Sequence, residues 1–218
     1  QVLGVNTINE HLSDVTLRGA RKRDYPPTFS YHSPWMQEYQ TLEDYFTRLS
    51  YALSQGQQVN RCLVLEPTTT AWMHHFVDNG KLAVLGDGFQ LLVTNLAKKQ
   101  VEFDLGSEAV INELGSVGEL DGTPVLQVGQ CAYTAVVIPV EMETLHRAVF
   151  DLLTVYMEKG GVVFSCAPPE QPACIDGAPD AALNALRSHD NWKMVATTEL
   201  ATAINARCHQ TVQVALSP

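Results

Sequence analysis

The chain has 218 residues, 45% of them hydrophobic and 17% charged, which excludes disorder along its whole length and allows a sizeable buried core. Fourteen basic residues against 24 acidic ones leave a formal charge of −10, which argues against nucleic acid or an anionic membrane as the main partner. No stretch approaches the roughly eighteen uninterrupted apolar residues of a membrane span.

In chain order, Gly4-Val5-Asn6-Thr7-Ile8-Asn9-Glu10-His11 reads as a short apolar strand ending in polar side chains suited to a sugar. A basic loop follows, with Arg18, Arg21, Lys22 and Arg23 inside six positions, then Tyr31-His32-Ser33-Pro34-Trp35. The basic cluster reads as a solvated or inter-domain loop, because no aromatic residues interleave with its charges. A self-contained domain rarely opens with an unpaired strand and about thirty residues of loop. The expected division is therefore 1–37, the remnant of another domain plus a linker, and 38–218, an α/β domain, with the chain a piece of something larger.

Residues 38–55 predict a helix with Leu42, Phe46, Leu49 and Leu53 on one face and Gly56 as its stop. The continuous apolar run at 61–65, ended by Pro67, predicts a strand covered on both faces. Residues 68–72 read as loop and 73–77 as a short helix. Phe89, Leu92, Val93 and Leu96 mark a second amphipathic helix closing near Lys98-Lys99. A strand at 101–105 and a short helix at 107–114 come next. Runs at 117–120 and 125–128 flanking Asp121-Gly122 predict a hairpin. Val136-Val137-Ile138, within 132–139, predicts a third buried strand, and 144–159 a helix carrying Leu145, Val149, Leu152, Leu153 and Tyr156 on one side. Val162-Val163-Phe164 gives a fourth buried strand, and four prolines impose a loop on 167–179. A helix at 180–187, strands at 192–196 and 212–216, and a helix at 198–206 complete the chain. This alternation predicts βαβ crossovers and a doubly wound, mostly parallel sheet with helices on both faces. Flavodoxin-like order is expected rather than Rossmann, since no Gly-x-Gly-x-x-Gly follows the first strand.

Few residues point to chemistry. Cys166 stands at a strand's C-terminal end, but Pro168 and Pro169 occupy the place where oxyanion-hole amides would point. It reads as a structural thiol. His74 and His75 are adjacent, so on a helix they diverge by about 100° and cannot grip one metal together. The five cysteines form no Cys-x-x-Cys pair, and their odd number suggests neither a zinc ribbon nor a complete disulfide framework. No metal or cofactor is expected. Glu10 and His11, with Asp14 just beyond, suit hydrogen bonding to a polyhydroxylated ligand or proton transfer at a glycosidic oxygen, or else serve as plain loop polar groups. Trp35 and Trp72 can stack on a sugar face or plug a seam.

The segments Gly4 to Ser13, Arg18 to Pro27 and His32-Ser33-Pro34-Trp35 together resemble the end of the catalytic barrel in large bacterial glycoside hydrolases, the α-L-rhamnosidase-like group above all. The likeness continues through Arg48-Leu49-Ser50, Gln55-Gly56, Val64-Leu65-Glu66-Pro67, Phe103-Asp104-Leu105-Gly106 and Gly160-Gly161-Val162-Val163. There it is similar to the flavodoxin-like, class I glutamine amidotransferase-like domain behind the barrel, also seen as the trimerisation domain of some β-galactosidases. The resemblance implies a parent glycoside hydrolase, periplasmic or secreted, acting on carbohydrate with a barrel this chain lacks. His11 would match a histidine near the sugar site and Trp35 an aromatic residue on the following loop, so Glu10, His11 and Trp35 are the substrate-binding candidates. The α/β domain would be non-catalytic, supporting the barrel, the cleft or a homo-oligomer. At Val59-Asn60-Arg61 the chain departs from the alanine–aspartate pair expected there. Three alternatives remain: a small-molecule or carbohydrate module using strand ends near Thr68, Glu108 and Ala167, an amidotransferase or peptidase needing a reactive Cys166, and a structural interaction domain.

Overall fold

The computed structural model describes residues 7–8, 16, 18–23, 29, 31–77 and 80–208. The chain divides into two compact units, Gln1–Gln58 and Val59–Pro218. The division falls later than the 37/38 boundary expected from the sequence, so helix α1 (Tyr39–Leu53) groups with the residues before it. In this first unit a 3₁₀ turn spans Gly19–Arg23, and no residue of α1 is buried. The expected strand over 5–8 lies mostly outside the described residues, and Thr7 and Ile8 belong to no regular element.

The second unit is α/β. Its elements are β1 (Cys62–Leu65), α2 (Thr68–His74), α3 (Lys81–Lys98), β2 (Phe103–Gly106), α4 (Glu108–Leu114), β3 (Gly115–Leu120), β4 (Thr123–Val128), β5 (Cys131–Tyr133), β6 (Ala135–Ile138), β7 (Thr144–Leu145), α5 (Arg147–Glu158), β8 (Val162–Ser165), β9 (Cys174–Ile175), β10 (Ala178–Pro179), α6 (Ala182–Arg187), β11 (Trp192–Met194) and α7 (Leu200–Arg207). Five strands form one sheet in the order β2-β1-β6-β8-β11. Every neighbouring pair in it is parallel. Alternate strand residues feed two cores. Leu63, Leu65, Val136, Ile138 and Val163 pack with Ile111 of α4, Val149 and Leu153 of α5, and Leu183 of α6. Cys62, Val64, Ala135, Val137 and Phe164 pack with Leu92 and Leu96 of α3 and Leu200 and Ile204 of α7. Helices thus cover both faces, and burial on both sides is why β1 and β6 read as unbroken apolar runs.

Two small sheets flank the large one. Strands β3, β4 and β5 form an antiparallel meander. Its first turn is Asp121-Gly122, both with positive φ (49° and 76°), the geometry that favours this dipeptide between twisted strands. β7 pairs with β9, and β9 with β10, the last two strands lying inside the stretch expected to be loop.

Three expectations are corrected. Residues 68–72, read as loop, are helical: Pro67 sits at the N-cap, where its missing N–H costs nothing, and its carbonyl accepts from Ala71 N at 2.9 Å. Helix α3 begins at Lys81, well before Phe89, because Gly86 and Gly88 mask a helical segment. Gly88 is there for packing: a Cβ on it would come within 2.7 Å of Val140 Cγ2. The helix expected at 144–159 starts only at Arg147, since Thr144 and Leu145 pair as β7 and His146 caps it, its Nδ1 accepting from Ala148 N at 3.3 Å. The strand expected at 212–216 lies outside the described residues.

Candidate functional site

An open parallel sheet leaves a crevice at the C-terminal ends of two neighbouring strands whose crossovers run to opposite faces. Here those strands are β1 and β6. The chain leaves β1 toward α3 on one core and leaves β6 toward α5 on the other. The segments that meet there supply Thr69, Thr70 and His74 from α2 after β1, Glu141, Glu143 and Thr144 after β6, and Glu108 from the start of α4 after the neighbouring β2.

The inner part of this crevice is stitched by its own side chains. Glu108, 2% exposed, accepts at Oε2 from Thr69 Oγ1 (2.7 Å) and at Oε1 from His146 N (2.7 Å). Burial pushes its carboxyl above the usual glutamate range, more than these two hydrogen bonds pull it back. Thr70 Oγ1 accepts from the amides of Glu143 (3.1 Å) and Thr144 (3.2 Å), and Thr144 Oγ1 accepts from Gly177 N at 3.0 Å. Each bond joins segments far apart in sequence, so the group acts as a clasp.

The outer part is open. Glu143 Oε1 accepts from Lys81 Nζ at 2.8 Å, and Oε2 accepts from His74 Nε2 at 3.1 Å. Burial of Glu143 opposes its ionisation, but the hydrogen bonds from Lys81 and His74 outweigh it and hold the carboxyl below the ordinary value. The same bond to Glu143 raises the Lys81 ammonium. Beside them Glu141 sits in the left-handed region with φ 57°, a conformation a residue with a Cβ adopts only when its surroundings enforce it. These groups, with Thr70, Val84 and Leu85, line a cavity of about 180 Å³. From His74 an open groove of about 540 Å³ continues over His75, Phe76, Val77 and Leu82.

Of the residues singled out in the sequence, Glu10 and His11 lie outside the described residues. Trp35 is 44% exposed, its ring edge-on to Phe29 (5.2 Å) and Tyr39 (5.7 Å). The strand ends at Glu108 and Ala167 are buried, and Thr68 N bonds back to Glu66 O at 2.8 Å. His74 and His75 diverge, the first toward Glu143 and the second against the Phe76 ring at 4.6 Å. No cluster of His, Cys, Asp and Glu among the described residues is placed to hold a metal, and no described helix is long and apolar enough to cross a membrane.

Cys166 follows β8, its N–H bonded to Ile138 O at 2.9 Å. Burial pushes its thiol up to about 11. At neutral pH roughly one molecule in ten thousand carries the thiolate there. Iodoacetamide at neutral pH should therefore alkylate exposed Cys131 and spare Cys166, as read by peptide mapping. Rapid labelling of Cys166 would show an activated nucleophile.

The cluster of His74, Lys81, Glu141 and Glu143 was not legible in the sequence. His74 and Lys81 stand 69 and 62 positions from Glu143, with no motif spacing to link them. The only local sign is two carboxylates, Glu141 and Glu143, straight after the apolar run of β6. Comparison with protein-family models, with curated proteins and with solved structures finds no match to this chain.

Proposed function

We propose that the second unit is a flavodoxin-like, non-catalytic α/β domain, amidotransferase-like in fold alone, and that its parent is a glycoside hydrolase whose barrel, substrate cleft or oligomer interface it supports. The fold part of this reading rests on strand order: numbered along the chain, the five parallel strands run 2-1-3-4-5, the flavodoxin arrangement. The hydrolase part rests on the resemblance carried by the segments around His11, Trp35 and Arg48-Leu49-Ser50.

One observation carries the non-catalytic assignment. An amidotransferase or related hydrolase presents its nucleophile on a strained turn at a strand's end. In this sheet the strained residue after the third parallel strand is Glu141, a carboxylate, while the Cys166 thiol at a neighbouring strand end is partly buried and protonated. The inner crevice groups are spent on joining loops, which suits a scaffold.

The deciding test is the coding sequence upstream of Gln1. The reading expects an in-frame catalytic barrel, about 250 residues or more. A start codon adjacent to the codon for Gln1 would sink it. In a parallel assay the isolated chain should turn over no aryl glycoside, and turnover would refute the non-catalytic assignment.

A further inference from the structure

We propose that the cavity between the β1 and β6 ends, with the groove that continues from it, is a saccharide-binding site: one sugar ring in the cavity, the next on the shelf at Phe76. This goes beyond the scaffold reading and does not depend on a hydrolase parent.

Position is the first argument. The cavity lies at the switch point of the sheet, where doubly wound proteins hold small ligands. Size is the second. About 180 Å³ is slightly more than the roughly 150 Å³ that accommodates a bare six-membered ring. Hydroxyls on such a ring fill the difference.

Chemistry is the third argument. A sugar ring has hydroxyls that both donate and accept around its edge and a C–H face that is apolar. The cavity offers carboxylate acceptors at Glu141 and Glu143, donors at Lys81 and Thr70, and an aliphatic wall at Val84 and Leu85. Glu143 is already bonded to Lys81 and His74, so its position is set before a ligand arrives. Glu141 accepts no hydrogen bond among the described residues while lining the cavity, so its carboxylate can accept from the hydroxyls of a bound ring. Two carboxylates against one ammonium disfavour an anionic ligand.

The shelf is the fourth. Phe76 is 93% exposed, a large aromatic face left in water and braced edge-on by His75 at 4.6 Å. Aromatic rings of this kind stack on the apolar face of a sugar, and this one adjoins a polar cavity through the shared His74.

The test is a ¹H–¹⁵N NMR titration of the full chain with D-galactose, L-rhamnose and lactose, with ethanolamine and inorganic phosphate as comparisons. At least one saccharide should shift the amides of His74, Lys81 and Glu141 saturably. Lactose should also shift Phe76, and Phe76→Ala should weaken lactose about three- to tenfold without altering the monosaccharides. Glu141→Gly should abolish the cavity shifts while leaving the thermal midpoint unchanged or higher, because glycine accepts the positive φ at no cost. Glu141→Gln, which keeps the size and loses the charge, should weaken every saccharide that binds. The proposal is overturned if no saccharide moves these amides, if Glu141→Gly retains the shifts, or if only ethanolamine or phosphate produces them.

Discussion

Gly161→Ala is expected to destabilise the α/β unit by about 3 kcal/mol, at the upper end of what overpacking a core costs. In a unit of this size that lowers the thermal midpoint by roughly 6–12 °C. A Cβ built on Gly161 would lie 2.2–2.4 Å from three ring atoms of Tyr156, inside any allowed contact. The ring has nowhere to go. Tyr156 is fully buried and packs in the same core as Leu153, Met157 and Val163. The backbone cannot swing either, because Gly161 N donates to Tyr156 O at 2.8 Å and closes the end of α5. The two adjacent glycines do different jobs: Gly160 supplies a φ of 94° for the turn, and Gly161 supplies the missing side chain that lets β8 start against the ring. A double-mutant cycle separates this clash from a general weakening of the turn. With Tyr156→Leu as background the obstructing ring is gone, and adding Gly161→Ala should then cost less than about 1 kcal/mol by urea denaturation. Equal losses in both backgrounds would show that the ring contact is not the cause.

The place of the Gly-Gly pair, between the helix expected to 159 and the buried strand expected from Val162, was readable in advance, and the reason is general. Residues whose role is local, or set by burial on both sides of one strand, leave their mark in the sequence. Val136-Val137-Ile138 and Val162-Val163-Phe164 are apolar without interruption because each faces two helix layers, and Asp121-Gly122 is the chemistry its turn requires. The features that escaped notice are those where tertiary contact overrode local preference. Three threonines after Pro67 disfavour a helix on propensity, yet Thr69 and Thr70 are needed there to bond Glu108 and the Glu143–Thr144 amides. Gly88 looks like a breaker but makes room for Val140. Thr144 and Leu145 continue an amphipathic helical pattern and instead pair with Cys174 and Ile175. The site suffers most from this, since its partners come from three separate segments, the end of α2, the start of α3 and the turn after β6, and no spacing rule reaches across them. The stretch that carried the sugar-site expectation, Glu10 and His11, falls outside the described residues, so the site argued from geometry and the one argued from resemblance share no residue.

Glu108→Ala should cost about 3 kcal/mol, and Glu108→Gln close to nothing, a contrast that identifies the buried carboxyl as a clasp whose shape matters more than its charge. Alanine leaves the His146 amide and the Thr69 hydroxyl without their acceptor in a site closed to water, and leaves a void as well. Glutamine keeps a carbonyl oxygen for His146 N and turns its amide toward Thr69, whose hydroxyl rotates to accept. The pH dependence follows from the direction of the shift. Burial holds the Glu108 carboxyl above the usual glutamate value in the folded protein, so the native state binds this proton more tightly than the unfolded chain does. Its contribution is therefore fully present at low pH and declines as pH rises from the ordinary glutamate value through the raised one. Glu143 works in the opposite sense: its depressed carboxyl stabilises the fold above the ordinary value, a contribution lost as pH falls through the depressed one. Comparing wild type with Glu108→Gln removes the Glu143 effect, because both proteins carry it. The difference in unfolding free energy, wild type minus variant, should fall as pH rises from the ordinary glutamate value through the raised one. A difference that stays flat or climbs over that range would mean that Glu108 is ionised at no cost in the folded protein, and the clasp would then be held by charge rather than by shape.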